Sequence, residues 1–180
     1  MLSSFNLIIS TMRNREDSCI TELWYFLREV GAKEIEVSRT GLPGLIVASC
    51  DVDPFYVVRR LREIAEDKPW EFRYILKVVP VESVVPSDIN KIKEEALKLA
   101  KEKIAASEKY KVDVNIRASK LKRTQVIEAI APSLKNKVDL DSPDKIIRVE
   151  IIGDLAGLSV IKPPDVVSIP KIRAKREGRL

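Results

Sequence analysis

Histidine is absent from this 180-residue chain. With it go the commonest general base and the commonest metal ligand. A Ser or Thr nucleophile would therefore lack its usual activating partner. The two cysteines, Cys19 and Cys50, show no C-x-x-C spacing, which argues against a zinc site, and their apolar settings read as buried thiols. Glycine occurs six times. Neither G-x-G-x-x-G behind a strand nor G-x-x-x-x-G-K-[ST] is present, so no loop for a nucleotide cofactor is expected. Gly41-Leu42-Pro43-Gly44 reads as a turn. Asp139, Asp141 and Asp144 lack the glycine and distal glutamate of a calcium loop and read as strand-end turn chemistry. No cofactor and no metal is expected. No apolar run approaches the roughly 20 residues that cross a bilayer, so no membrane partner is expected. The N-terminus has no basic region leading into a long apolar one, which points to a cytoplasmic protein without a signal peptide.

What is present suffices for a folded core: 45% of residues are hydrophobic and 33% charged. Residues 5–10 read as a mostly buried strand. Cys19, Ile20, Leu23, Trp24, Leu27 and Val30 then recur at helical spacing, with Gly31 placed to end the helix. Two extended pieces, 34–38 and 45–50, flank the Gly41–Gly44 turn. Asp53-Pro54 is a helix start, and Val57, Val58, Leu61, Ile64 and Ala65 are its inner face. Phe72, Tyr74, Leu76 and Val78 alternate as a strand. Trp24 belongs to the core, and Trp70 reads as a packing lid more than as a stacking platform. The order β-α-β-β-α-β is ferredoxin-like. Beyond Val81–Val85, a linker or extended edge, come a long helix (88–107), a strictly alternating strand (111–117), a helix (124–131) stopped by Pro132, and two strands (146–152 and 155–161) around Gly153-Asp154. The expected fold class is thus α/β of the α+β kind. An N-terminal ferredoxin-like domain with its linker strand spans 1–86, an α-β-α-β-β domain spans 87–161, and an extended or mobile basic tail spans 162–180.

Charge is unevenly spread along this order. Between Arg117 and Lys137 lie Arg117, Lys120, Lys122, Arg123, Lys135 and Lys137, against Glu128 alone, a local net charge of +5. The whole chain also carries +5. The tail, with Lys171 and Arg173 among its cations, carries a further +4. Arg13 and Arg15 sit in an exposed loop at a strand's end, while Arg59, Arg60 and Arg62 lie among acidic neighbours. A basic ridge on an otherwise balanced protein suits a polyanion better than a small metabolite.

The Lys111–Arg117 strand, the Ser119–Arg123 basic turn, the Thr124–Ala131 helix and the string Val138-Asp139-Leu140-Asp141-Ser142-Pro143-Asp144, followed by Val149-Glu150-Ile151, resemble a THUMP domain. The ferredoxin-like first half matches the build of such domains, so the resemblance covers about residues 5–161. It implies tRNA binding, with Arg117, Lys120, Lys122 and Arg123 at the positions of the family's basic residues and Lys135 and Lys137 on the same surface. Within the family the chain is most similar to the stand-alone members, through Asn6-Leu7-Ile8, Glu22-Leu23 and Ser168–Arg173. Those members assist a separate tRNA cytidine acetyltransferase in making N4-acetylcytidine. The resemblance therefore implies an adaptor without catalytic residues. The alternative is the RNA-binding subunit or a fragment of another tRNA-modifying enzyme, of methyltransferase, thiolation or deaminase type.

Overall fold

The structure, a computed structural model, describes all residues 1–180. It divides into two compact units, residues 1–80 with 164–180 and residues 81–163.

The first unit runs β1 (Leu7–Ser10), α1 (Glu16–Glu29), β2 (Ile35–Arg39), β3 (Leu45–Cys50), α2 (Pro54–Asp67) and β4 (Lys77–Pro80). Its strands lie in the order β2-β3-β1-β4 and all neighbours are antiparallel, which is the ferredoxin-like arrangement inferred above. The apolar stripes of α1 and α2 meet one face of the sheet, where Leu23, Phe26, Leu27, Val57 and Leu61 pack with Leu7, Ile9 and Ile46. Asp53 starts α2 as expected, its carboxylate accepting from the N–H groups of Phe55 and Tyr56.

Two features of this unit depart from the sequence reading. The strand expected from Phe72 onward begins only at Lys77. The Glu22 carboxylate, on α1, takes the N–H groups of Arg73, Tyr74 and Ile75 at 2.7, 3.0 and 2.7 Å, leaving those donors nothing to give a neighbouring strand. The tail is not an extended arm either. Val167 and Ser168 form β9, which adds a fifth strand beside β4, and α5 (Ile169–Arg176) follows. Val167, Ile169 and Ile172 are buried in the first core. Three buried apolar side chains in a stretch with six cations were too sparse for composition to betray them, yet they suffice to seat one short helix. Pro170 in its first turn and the Ser168 hydroxyl, which accepts from the Lys171 N–H, define its start.

The second unit runs β5 (Ser83–Pro86), α3 (Ile89–Lys103), β6 (Tyr110–Arg117), α4 (Arg123–Ile130), β7 (Lys145–Ile152) and β8 (Leu155–Ile161). Its sheet order is β5-β8-β7-β6, with β6 and β7 parallel and the other pairs antiparallel. The stretch read as a linker or edge is therefore an edge strand of the second sheet. Helices α3 and α4 cover one face, burying Ile92, Ala96, Val126 and Ile130 against Val114, Val149, Ile151 and Leu158. The opposite face of β6 and β7 carries charge. Arg148 and Glu150, two apart on β7, are 6% and 1% exposed. The Glu150 carboxylate accepts from Arg148 Nε at 2.8 Å, Arg117 at 2.7 Å and Asn115 at 3.2 Å, and Arg148 also reaches Asp113 at 3.1 Å. Two guanidinium groups and two carboxylates thus form one closed, neutral network.

Candidate nucleic-acid interface

The basic residues of the second unit follow from how β6 ends. Arg117 closes the strand, and its carbonyl accepts from the Gly153 N–H at 2.9 Å. Ala118 then takes a left-handed backbone, φ 53, and turns the chain out of the sheet. Ser119 and Leu121 face inward: the Ser119 hydroxyl accepts from the Leu121 N–H at 3.2 Å, and Leu121 packs on the core. The alternation leaves Lys120 and Lys122 exposed, and Arg123 is exposed at the first position of α4. The Gln125 side chain accepts from the Lys122 N–H at 2.8 Å, which fixes the entry into α4. Lys120, Lys122 and Arg123 make no ion pair, so their charge stands uncompensated on a rigid turn.

Beside this turn lies an open cleft of about 620 Å³, lined by Pro86, Ser87, Asp88, Ala118, Ser119, Lys120, Gly153 and Asp154. It sits where β6 and β7, the parallel pair, reach their carboxyl ends, and where β5 hands over to α3. The Asp88 carboxylate is engaged in capping α3, accepting from Asn90 and Lys91 N–H at 3.0 and 3.1 Å. The Ser87 hydroxyl is buried without a partner. Ser87, Gly153 and Asp154 carry cap and turn signals in the sequence; nothing there marks them as walls of one cleft.

The six cations between 117 and 137 do not gather in one place. Arg117 is one-third exposed, and the buried Glu150 compensates it. It belongs to the internal network, unlike the unpaired cations of the turn that follows it. Lys135 and Lys137 are exposed, but Val138 bridges to Tyr110 at the start of β6. The eight residues of β6 put roughly 23 Å between that end and the 118–123 turn. Lys135 and Lys137 also lie beside Asp139, Asp141 and Asp144. Asp139 organises that loop: one oxygen accepts from Asp141 and Ser142 N–H and the other from Lys109. The N–H of Ser142, then the Lys109 ammonium, hold its carboxyl below the usual carboxylate range.

In the first unit Arg13 and Arg15 are exposed on the β1–α1 loop and make no ion pair. Lys171 is exposed on α5. Arg173 is not a free contact: its guanidinium donates to the Pro69 carbonyl at 3.2 Å and to the Phe72 carbonyl, and so ties α5 to the turn after α2. Arg62 likewise bridges to the Pro164 and Val166 carbonyls at 2.7 and 2.8 Å, and Arg60 pairs with Glu63.

The turn, the cleft and the sheet they stand on all fall within residues 86–161, which match the family model described as THUMP domain. The chain carries a THUMP domain. Solved structures share the fold over nearly the whole chain. PH1313 from Pyrococcus horikoshii Ot3 is 19% identical, with a TM-score of 0.61 over 92% of this chain and 55% of its own. TrmN from Thermus thermophilus is 16% identical, with a TM-score of 0.56 over 88% of this chain and 46% of its own. A 4-thiouridine synthetase, solved as an RNA complex with bound ATP, is 17% identical, with a TM-score of 0.54 over 92% of this chain and 42% of its own. This chain thus spans about half the length of the solved structures it matches, and identities this low show the fold alone. A comparison with curated proteins found no match. No helix of the THUMP-bearing chain is long and apolar enough to cross a membrane.

Proposed function

We propose that this chain binds tRNA through its THUMP domain and presents it, in the cytoplasm, to a separate tRNA cytidine acetyltransferase that forms N4-acetylcytidine. The observation that carries the binding is the turn at 118–123. Lys120, Lys122 and Arg123 are exposed, unpaired and held beside an open cleft. Fixed cations of this kind recognise the phosphates and shape of a folded RNA and do not read base edges. The 4-thiouridine synthetase of like fold was solved in complex with RNA, which supports the same reading. The adaptor role rests on the sequence resemblance, and in this reading the separate transferase makes the new bond. A non-catalytic binder raises another enzyme's rate by raising the effective concentration of its substrate.

The test is to incubate pure protein with tRNA and an acetyl donor, with and without the acetyltransferase, and to quantify acetylated cytidine. The expected result is no product from this protein alone and a large increase when it joins the transferase. Product without the transferase, or no stimulation of it, contradicts the adaptor role. A second reading has one observation behind it: the matched structures are about twice as long as this chain. The chain would then be the RNA-gripping part of another modifying enzyme. Binding of tRNA with no effect on acetylation favours that reading.

A further inference from the structure

Trp70 is 62% exposed. It is not the packing lid that its place after Pro69 suggested, and the first unit is built to hold it outward. Pro69 is buried. Phe72, two residues on, is 1% exposed and stacks on Phe26 with centroids 4.2 Å apart and rings within 7° of parallel. The Pro69 and Phe72 carbonyls are both held by Arg173. The turn is therefore pinned on either side of Trp70 while the indole itself points to solvent.

One face of that indole is already occupied by a cation. Arg176 lies over the ring, with its guanidinium carbon 5.4 Å from the centroid. It is fixed there by donating to the Glu66 and Asp67 carbonyls at 2.7 and 2.8 Å, at the carboxyl end of α2. Neutral carbonyls orient a guanidinium without cancelling its charge. The same holds for Arg173. Lys68, Arg73, Lys171 and Lys175 are exposed nearby in sequence or on α5 and make no ion pair; Glu63, Glu66 and Glu177 are each paired with an arginine, which leaves Asp67 and Glu71 as the exposed, unpaired carboxylates against these four cations. A ring that remains 62% exposed with Arg176 against one face has its other face open.

We propose that Trp70 is a stacking platform for one unpaired RNA base, with Arg176 backing the ring and Lys171 and Lys175 of α5 holding the adjoining phosphates. The proposal rests on the RNA-binding reading above and names a second contact for it in the other unit. Aromatic rings accept any base, because every base has a π-face, and a guanidinium stacked behind the ring adds cation–π attraction. An open indole also suits a protein interface. The basic α5 beside this one favours a polyanion, and a protein partner is an outcome of the test below.

The chain has two tryptophans, and Trp24 packs against the first core. A Trp24→Phe variant therefore makes Trp70 the sole indole emitter. We would titrate it with two RNA hairpins of identical stem, one blunt and one with a five-nucleotide single-stranded extension, and with heparin as a polyanion without bases. The expected result is quenching by the extended hairpin, little by the blunt hairpin and none by heparin. Trp70→Ala is expected to weaken the extended hairpin about tenfold and leave the blunt one unchanged, with Trp70→Phe intermediate. These last two variants are made in the wild-type background, so the outcome does not depend on how well Trp24→Phe folds. Equal affinity of Trp70→Ala and wild type for both hairpins, with no quenching, overturns the platform, and the indole then faces a protein. If the hairpins still bind in that case and respond to alanine at Lys122 and Arg123, only the platform has failed. If neither hairpin binds wild type, the RNA reading and the platform fail together.

Discussion

Alanine at both Lys122 and Arg123 should flatten the salt dependence of tRNA binding by about two units in the slope of log affinity against log salt. Each cation in phosphate contact releases condensed counterions, so the slope counts contacts. Losing two of them corresponds to roughly a 10- to 30-fold loss of affinity near 0.15 M salt. The fold should not suffer, since both side chains are exposed and free of ion pairs. Arg117→Ala is the informative contrast. Arg117 precedes this turn and is already engaged with Glu150 at 2.7 Å, so its loss should lower stability and leave the slope close to wild type. A slope unchanged by the double alanine variant would remove the 118–123 turn from the interface.

The second large effect is on folding. Glu150→Ala should destabilise the protein by about 3–5 kcal/mol, the usual cost of removing one partner from a buried ion pair. Glu150 is 1% exposed and accepts from Arg148, Arg117 and Asn115 together. Without it, Arg148, itself 6% exposed, retains only Asp113, and Arg117 loses its anion. A melting temperature lowered by roughly 10 °C or more is expected, readable by calorimetry or by circular dichroism. Glu150→Gln, which keeps the shape and one acceptor oxygen, should fall between the two. A Glu150→Ala protein as stable as wild type would show that this network contributes specificity or nothing at all.

Most of the fold was legible because each element carries its own period. The helical repeat of α1, the Asp53-Pro54 start of α2, the alternation of β6 and the Gly153-Asp154 turn between β7 and β8 are local signals, and the ferredoxin-like order followed from their sequence. What was not legible depended on partners far along the chain. Residues 73–75 read as strand by alternation, but the Glu22 carboxylate, more than fifty positions away, captures their N–H groups. The tail looked like a free basic arm because cations dominate its composition; its seating depends on Val167, Ile169 and Ile172 finding the first core.

The candidate site divided along the same line. Lys120, Lys122 and Arg123 lie in the stretch that reads as a basic turn in the sequence, and they are exposed there. Their separation from Lys135 and Lys137 by the length of β6, and the loss of Arg117 and Arg173 to internal partners, required three dimensions. Charge counted along a chain treats every cation as equal. In the fold, a cation paired with a buried carboxylate is neutralised, as Arg117 is, one held by carbonyls is fixed in place with its charge intact, as Arg173 and Arg176 are, and the unpaired exposed ones are free to meet a ligand.

The most direct test of tRNA binding by the THUMP domain is to irradiate a complex of the full chain with tRNA and locate the crosslinked peptides by mass spectrometry. Adducts are expected within residues 118–123, and they disappear when Lys120, Lys122 and Arg123 are replaced by alanine. A complex that forms with wild-type affinity in the triple variant, or crosslinks that leave 118–123 untouched, would contradict it.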